Sequence, residues 1–173
     1  SCCFAGGVDT PDKLWDVVQS GKNMVGKVPF DRWDAHAIAV SDPSLSPTVI
    51  QRMMYGGFVH DLDMFDATIF NLSSAEASAM DPQQRLLLEY AYIAFDDAGL
   101  TKDDIQGKNI GVFVGMMNND AGILSSTEAS KNVYAASSNT FSAAVGRISF
   151  VFGLHGPCVA YDTACSSSLV ALH

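Results

Sequence analysis

The feature that most constrains the fold is the joint between residues 158 and 172. A short apolar run, Cys158 to Asp162 (CVAYD), meets a helix-compatible run from Ser166 through Leu169, Val170, Ala171 and Leu172. The residue at the joint is Cys165, and its neighbours Ala164 and Ser166 are small. A strand that turns directly into a helix can form an elbow that pushes one side chain out over the sheet. Small neighbours leave room for a substrate to approach. A helix starting at the cysteine aims unpaired N–H groups and its positive dipole end at the sulfur, which favours a thiolate. The same N–H groups can hold an oxyanion when an acyl thioester is attacked. A cysteine thioester stays reactive toward the next nucleophile, which suits reversible acyl transfer. The residues alone leave a second reading open, that of a small cysteine buried at a tight turn.

A second apolar run, Ile110 to Gly115 (IGVFVG), is flanked by glycines and reads as a buried strand. Helix, loop and strand follow one another from Pro82 to Gly115, an αβ order that implies a parallel sheet. The composition agrees, with 48% hydrophobic and 17% charged residues, as expected for strands covered on both faces. The length of 173 residues suits one globular domain.

Helix boundaries are written in local chemistry. Thr10-Pro11-Asp12 opens a helix with a cap, a first-turn proline and an acid at the positive end. Leu14, Trp15, Val17 and Val18 form its apolar face, and Gly21 stops it. Ser73-Ser74-Ala75-Glu76 reads as a capping box. Asp81-Pro82 starts the clearest helix, with Gln84 at the reciprocal capping position and Gly99 at the end. Leu86, Leu87, Tyr90, Ala91, Ala94 and Phe95 give it a wide apolar face, so it is expected to be largely buried. Residues 141 to 152 (FSAAVGRISFVF) have helical character, and Gly153 to Pro157 turns the chain. Residues 22 to 63, with Pro29, Pro43, Pro47 and Gly56-Gly57, read as an irregular excursion with short elements rather than a separate domain.

Charge and cysteine usage exclude several classes. A net charge of -9 argues against nucleic acid and against a basic membrane-surface patch. There is no apolar run long enough for a transmembrane helix, and no signal-peptide layout. The four cysteines, Cys2, Cys3, Cys158 and Cys165, form no C-x-x-C. His36, His60, His155 and His173 include no i, i+4 pair, so neither a zinc site nor a disulfide framework is expected. The compartment expected is reducing and intracellular, cytoplasm first and plastid second. The sequence opens without Met on the apolar segment Cys2-Cys3-Phe4, and Ser166 to His173 reads as a helix that stops without a cap, so both ends are expected to be cut.

The segment Asp162 to His173 (DTACSSSLVALH) resembles the active-site motif of polyketide and fatty-acid β-ketoacyl synthases, and the type I polyketide form most of all. Met80 to Glu89 (MDPQQRLLLE), Gly111 to Gly115 (GVFVG), Pro29 to Trp33 (PFDRW), Gly56-Gly57-Phe58 and Cys3 to Asp9 (CFAGGVD) resemble further hallmarks, in family order. The resemblance implies a thiolase-type fold with layered α/β/α/β/α architecture. Residues 1–173 would be the N-terminal portion of one such domain, truncated at both ends. It implies that Cys165 is the acyl-carrying nucleophile. It further implies decarboxylative condensation with a malonyl-type extender carried on the phosphopantetheine of an acyl carrier protein. No directly bound cofactor or metal is expected. The expected partners are the acyl carrier protein, neighbouring synthase domains, and a second copy joined through the strand before Cys165. A fatty-acid synthase condensing domain and a non-condensing gatekeeping domain are the alternatives.

The two histidines that assist decarboxylation in this family belong to H-G-T-G-T and N-I-G-H motifs, and neither motif occurs in this sequence. None of the four histidines is therefore given a catalytic role, and the 173-residue piece alone is expected to be inactive and poorly stable. The sequence departs from the family at Cys3 (usually Arg), Ala5 (usually Pro), Ser74-Ala75 (often Pro-Arg) and His155 (often Arg). Arg85 and Glu89 are expected to form a structural i, i+4 ion pair, and Cys158 to be a core residue. Met116, Met117, Asn118 and Asn119 follow a strand end, where ligands often sit, but packing is preferred to a pocket role. Lys102, Lys108, Lys131 and Arg147 are the basic residues proposed for docking an acidic carrier.

Overall fold

The computed structural model describes residues 3–118, 134 and 140–173. It divides into two compact units, residues 1–61 and 62–173, and each is described by itself. Asn119 and Lys131 lie outside the described residues.

The first unit is built from short elements closed by local hydrogen bonds. Helix α1 (Pro11–Ser20) starts where Thr10 accepts from the Lys13 N–H, and ends at Gly21 in the left-handed region, φ 62°. The expected apolar face of α1 is not covered: no residue of this helix is buried, and Trp15 is 65% exposed. Strand β1 (Gly26–Lys27) pairs antiparallel with β2 (Tyr55–Gly56), and helices α2 (Ala35–Ser41) and α3 (Pro47–Met53) lie between them in sequence. Two family-like motifs meet inside this unit. The Trp33 ring packs edge-on against Phe58 at 5.5 Å, and its Nε1 donates to the Met53 carbonyl.

The second unit has one contiguous apolar core: Phe70, Met80, Leu88, Ile105, Val112, Val145, Ile148, Phe152 and Leu154. Helix α4 (Ser74–Ala79) begins where the Ser73 hydroxyl accepts from the Glu76 N–H. Helix α5 (Pro82–Asp97) begins where the Asp81 carboxylate accepts from the Gln83 N–H. Its end matches expectation, because Gly99 takes φ 70° and the Leu100 N–H reaches back to the Phe95 carbonyl. The burial of α5 differs from the sequence reading. Leu88 and Gln84 are its buried residues, whereas Tyr92, Ile93 and Ala94 are exposed. The helix leans on the core along a narrower stripe than its apolar content predicts.

The helix α7 (Phe141–Phe152) supplies Ala144, Val145, Ile148 and Phe152 to the buried set. Its Arg147 contradicts the surface docking role. Its side chain is only 10% exposed, pairs with the Glu76 carboxylate, and donates from Nε to Gln84 Oε1 at 3.1 Å. One guanidinium thus ties α4, α5 and α7 together. Glu76 is spent on that pair, and the Gln84 amide oxygen is turned to Arg147.

Strand β3 (Val112–Gly115) pairs in parallel with β4 (Cys158–Tyr161), as the αβ order requires, with Val112 beside Cys158 and Gly115 beside Tyr161. Val112, Val114 and Ala160 alternate into the α7 core, so the opposite face carries Phe113, Gly115 and Tyr161. Among the described residues no helix is long and apolar enough to cross a membrane.

Candidate active site

Cys165 sits where the sequence places it, in the turn between β4 and the last helix, and it is exposed. The local geometry is tighter than a strand meeting a helix at the cysteine. Residues Ala164–Ser166 form one 3-10 turn, and helix α8 (Ser167–Leu172) begins after it. The turn is made possible by Ala164, which takes φ 54°. A left-handed alanine costs about 1–2 kcal/mol, so its surroundings must hold it there.

The holding bonds are on the two sides of Ala164. The Ala164 N–H is aimed at Asp162 Oδ1 at 3.3 Å, and the Ser166 hydroxyl donates to the Thr163 carbonyl at 2.7 Å. Ser167 is buried, and its Oγ accepts from the Thr163 N–H at 2.9 Å and donates to the Ala164 carbonyl at 2.7 Å. The Cys165 N–H makes no hydrogen bond among the described residues, which leaves it free to meet an oxyanion.

Packing supports the turn from the strand side. A Cβ placed on Gly115 would come 2.6 Å from the Ser167 carbonyl carbon and 2.7 Å from the Ser168 nitrogen. Only glycine at the end of β3 lets the start of α8 lie against the sheet. The sequence reading includes Ser167 in the active-site-like motif and Gly115 in a family-like run, but gives neither residue a role. The available signal is a glycine closing the strand that neighbours the one leading to Cys165.

The other residues singled out by the sequence fall elsewhere. Cys158 is exposed, not in the core, because it opens β4 straight after the Pro157 turn and β4 has only β3 beside it among the described residues. Arg85 and Glu89 form no ion pair; burial raises the Glu89 pKa, and the Arg85 charge lowers it only partly. Met116 is buried as packing predicts, Met117 is half-exposed, and the Asn118 carbonyl accepts from Gln83 Nε2 at 2.8 Å. His155 is an exposed turn residue whose N–H donates to the Lys108 carbonyl, and His173 is exposed at the end of α8. Lys102 and Lys108 are exposed. No group of three metal-ligating side chains occurs among the described residues. A cavity of about 410 Å3 is lined by Phe70, Tyr92, Phe95, Leu100 and Phe152, and no residue of the elbow lines it.

A solvent-facing cysteine on a strained strand-to-helix turn, with a free N–H beside it, is equipped to accept an acyl group. Residues 1–173 match the family model described as the N-terminal domain of beta-ketoacyl synthase, and the chain belongs to that family. It is 45% identical over 173 residues to a phenolphthiocerol/phthiocerol polyketide synthase protein of Mycobacterium tuberculosis, covering 99% of this chain and 11% of that protein. It is 43% identical over 175 residues to the polyketide synthase GfsB of Streptomyces halstedii, covering 100% of this chain and 3% of that protein. Among solved structures it is similar to the ketosynthase from module 6 of the bacillaene synthase of Bacillus subtilis 168. The TM-score is 0.78 at 30% identity, over 99% of this chain and 28% of that one. It is also similar to the oxazolomycin ketosynthase domain of Streptomyces albus, with TM-score 0.79 and 32% identity, over 98% and 29% of the two chains. The chain therefore spans a small part of these synthases and less than a third of either ketosynthase structure. Its fold is the N-terminal portion of the thiolase-like ketosynthase fold.

Proposed function

We propose that residues 1–173 are part of one ketosynthase domain of a polyketide synthase, and that Cys165 is its nucleophile. The observation that carries this is the exposed Cys165 on the positive-φ turn that joins β4 to α8. Membership of the beta-ketoacyl synthase family supports the reaction class, and the polyketide-synthase relatives favour a polyketide over a fatty-acid product.

In the first step the Cys165 sulfur attacks the carbonyl carbon of an acyl group held as a thioester on a carrier's phosphopantetheine. The free Cys165 N–H is placed to receive the developing oxyanion. The bond to the phosphopantetheine sulfur breaks, and that sulfur leaves as a thiol with the proton that Cys165 gave up. In the second step a malonyl-type extender loses carbon dioxide, and the electron pair of the broken C–C bond forms a new C–C bond to the Cys165 thioester carbon. Cys165 leaves as a thiolate and the β-ketoacyl product stays on the carrier. The partners are an acyl carrier protein, the neighbouring domains of the synthase, and a second copy of the domain. The edge of β4 away from β3, which has no strand partner among the described residues, is the surface offered for that second copy.

The test is Cys165→Ala in the parent synthase, read by acyl loading and by condensation. Loading at that site is expected to disappear and condensation to fall by at least about 10^3-fold. A variant that still loads and condenses would contradict the proposal.

A further inference from the structure

We infer that Ser167 is a positioning residue for Cys165, holding the peptide that presents both the sulfur and the oxyanion donor. The inference rests on the reading of Cys165 as the nucleophile. Ser167 is 5% exposed, so its hydroxyl is not available to solvent or to a carrier-bound chain. That hydroxyl engages two backbone groups, the Thr163 N–H at 2.9 Å and the Ala164 carbonyl at 2.7 Å. The second of these belongs to the peptide unit joining Ala164 to Cys165. In a planar trans peptide the carbonyl and the N–H point in opposite directions. Fixing the Ala164 carbonyl therefore fixes the direction of the Cys165 N–H, which makes no hydrogen bond of its own among the described residues.

Gly115 keeps this clasp in place. A Cβ there would lie 2.8 Å from Ser167 Cβ and 2.6 Å from the Ser167 carbonyl carbon, so strand β3 already touches the back of Ser167. The hydroxyl is held in front by two bonds and its backbone is held behind by the strand. Removing the oxygen frees the Thr163 N–H and leaves the Ala164 carbonyl with the Ser167 N–H alone. Ala164, at φ 54°, then has less to keep it left-handed, and the Cys165 N–H loses its aim.

The test compares two reactions of the same sulfur in the full-length synthase. A hexanoyl thioester of N-acetylcysteamine acylates it through an oxyanion; iodoacetamide alkylates it without one. For Ser167→Ala, acylation is expected to slow by about 10^2-fold and alkylation by less than about threefold. A merely structural role would lower the reactive fraction and leave the ratio of the two rate constants in the folded fraction unchanged, and that result would overturn the inference. Ser167→Thr keeps the oxygen, and it is expected to acylate within about threefold of the wild type. A folded Ser167→Thr protein with the alanine-like loss expected above would also overturn the inference, and this arm stands if the alanine variant does not fold. Peptide mapping of the acylated wild type comes first. If its adduct is not on Cys165, it is the nucleophile reading that fails, a failure distinct from any change in the rate ratio at Ser167.

Discussion

Strand β4 opens on one exposed cysteine and leads into a turn that carries another, and the two sit in different backbone surroundings. Cys158 opens the strand in regular extended backbone, beside Val112 of β3. Cys165 follows the strand on a left-handed turn, with serine hydroxyls bonded into the backbone around it and a free N–H of its own. Accessibility alone thus does not distinguish the two thiols. What separates the two thiols is a backbone held in a costly conformation by groups that come from the next helix and the neighbouring strand.

The sharpest way to break this comparison is to remove each thiol in turn. Against the loss of at least about 10^3-fold expected for Cys165→Ala, Cys158→Ala in the parent synthase is expected to condense within about twofold of wild type. Steady-state condensation rates check this, and a comparable loss at Cys158 would end the distinction.

A smaller effect separates the strand's support from its chemistry. Leu88 is fully buried in the core that also receives Ala160 of β4. Leu88→Ala is expected to destabilise the second unit by about 3 kcal/mol, measured by chemical denaturation. It should lower the folded fraction without changing which cysteine is acylated.

Arg147 tests the same point through polar contacts. Arg147→Met keeps the length of the side chain but leaves Glu76 without its cation and Gln84 Oε1 without the Nε donor. Because the pair is partly buried, the expected cost is about 2 kcal/mol, again with the acylation site unchanged.

The smallest effect lies far from both thiols, at the start of helix α6 (Lys102–Ile105). The Thr101 hydroxyl, and then its N–H, donate to Asp104 and hold that carboxyl below the usual aspartate range. A lowered folded-state pKa stabilises above the unfolded-state value and is lost as pH falls through the folded-state value. Asp104→Asn should therefore slightly lower stability at neutral pH and flatten a shallow acid limb below about pH 4. Denaturation midpoints across that range check it.

Helix ends are legible in the sequence because capping is local. Thr10, Ser73 and Asp81 accept from the first turns they precede, and Gly21 and Gly99 close helices as expected. The place of Cys165 is legible for the same reason, since strand, turn and helix are contiguous. The grip on the turn is not legible. Gly115 meets Ser167 only because β3 and β4 pair in parallel with Gly115 beside Tyr161, a register no local pattern states. The burial of Arg147 is missed likewise, because its partners Glu76 and Gln84 lie on two other helices. Cys158 is misjudged because an apolar strand is read as covered on both sides, whereas β4 has a single strand beside it among the described residues.

The most direct test of the central claim is to locate the acyl group on the unmodified parent protein. After incubation with a short acyl thioester, chymotryptic cleavage at Tyr161 places Cys158 and Cys165 on different peptides. The acyl mass is expected on the Cys165 peptide and not on the Cys158 peptide. An adduct on Cys158, or no adduct on Cys165, would contradict it.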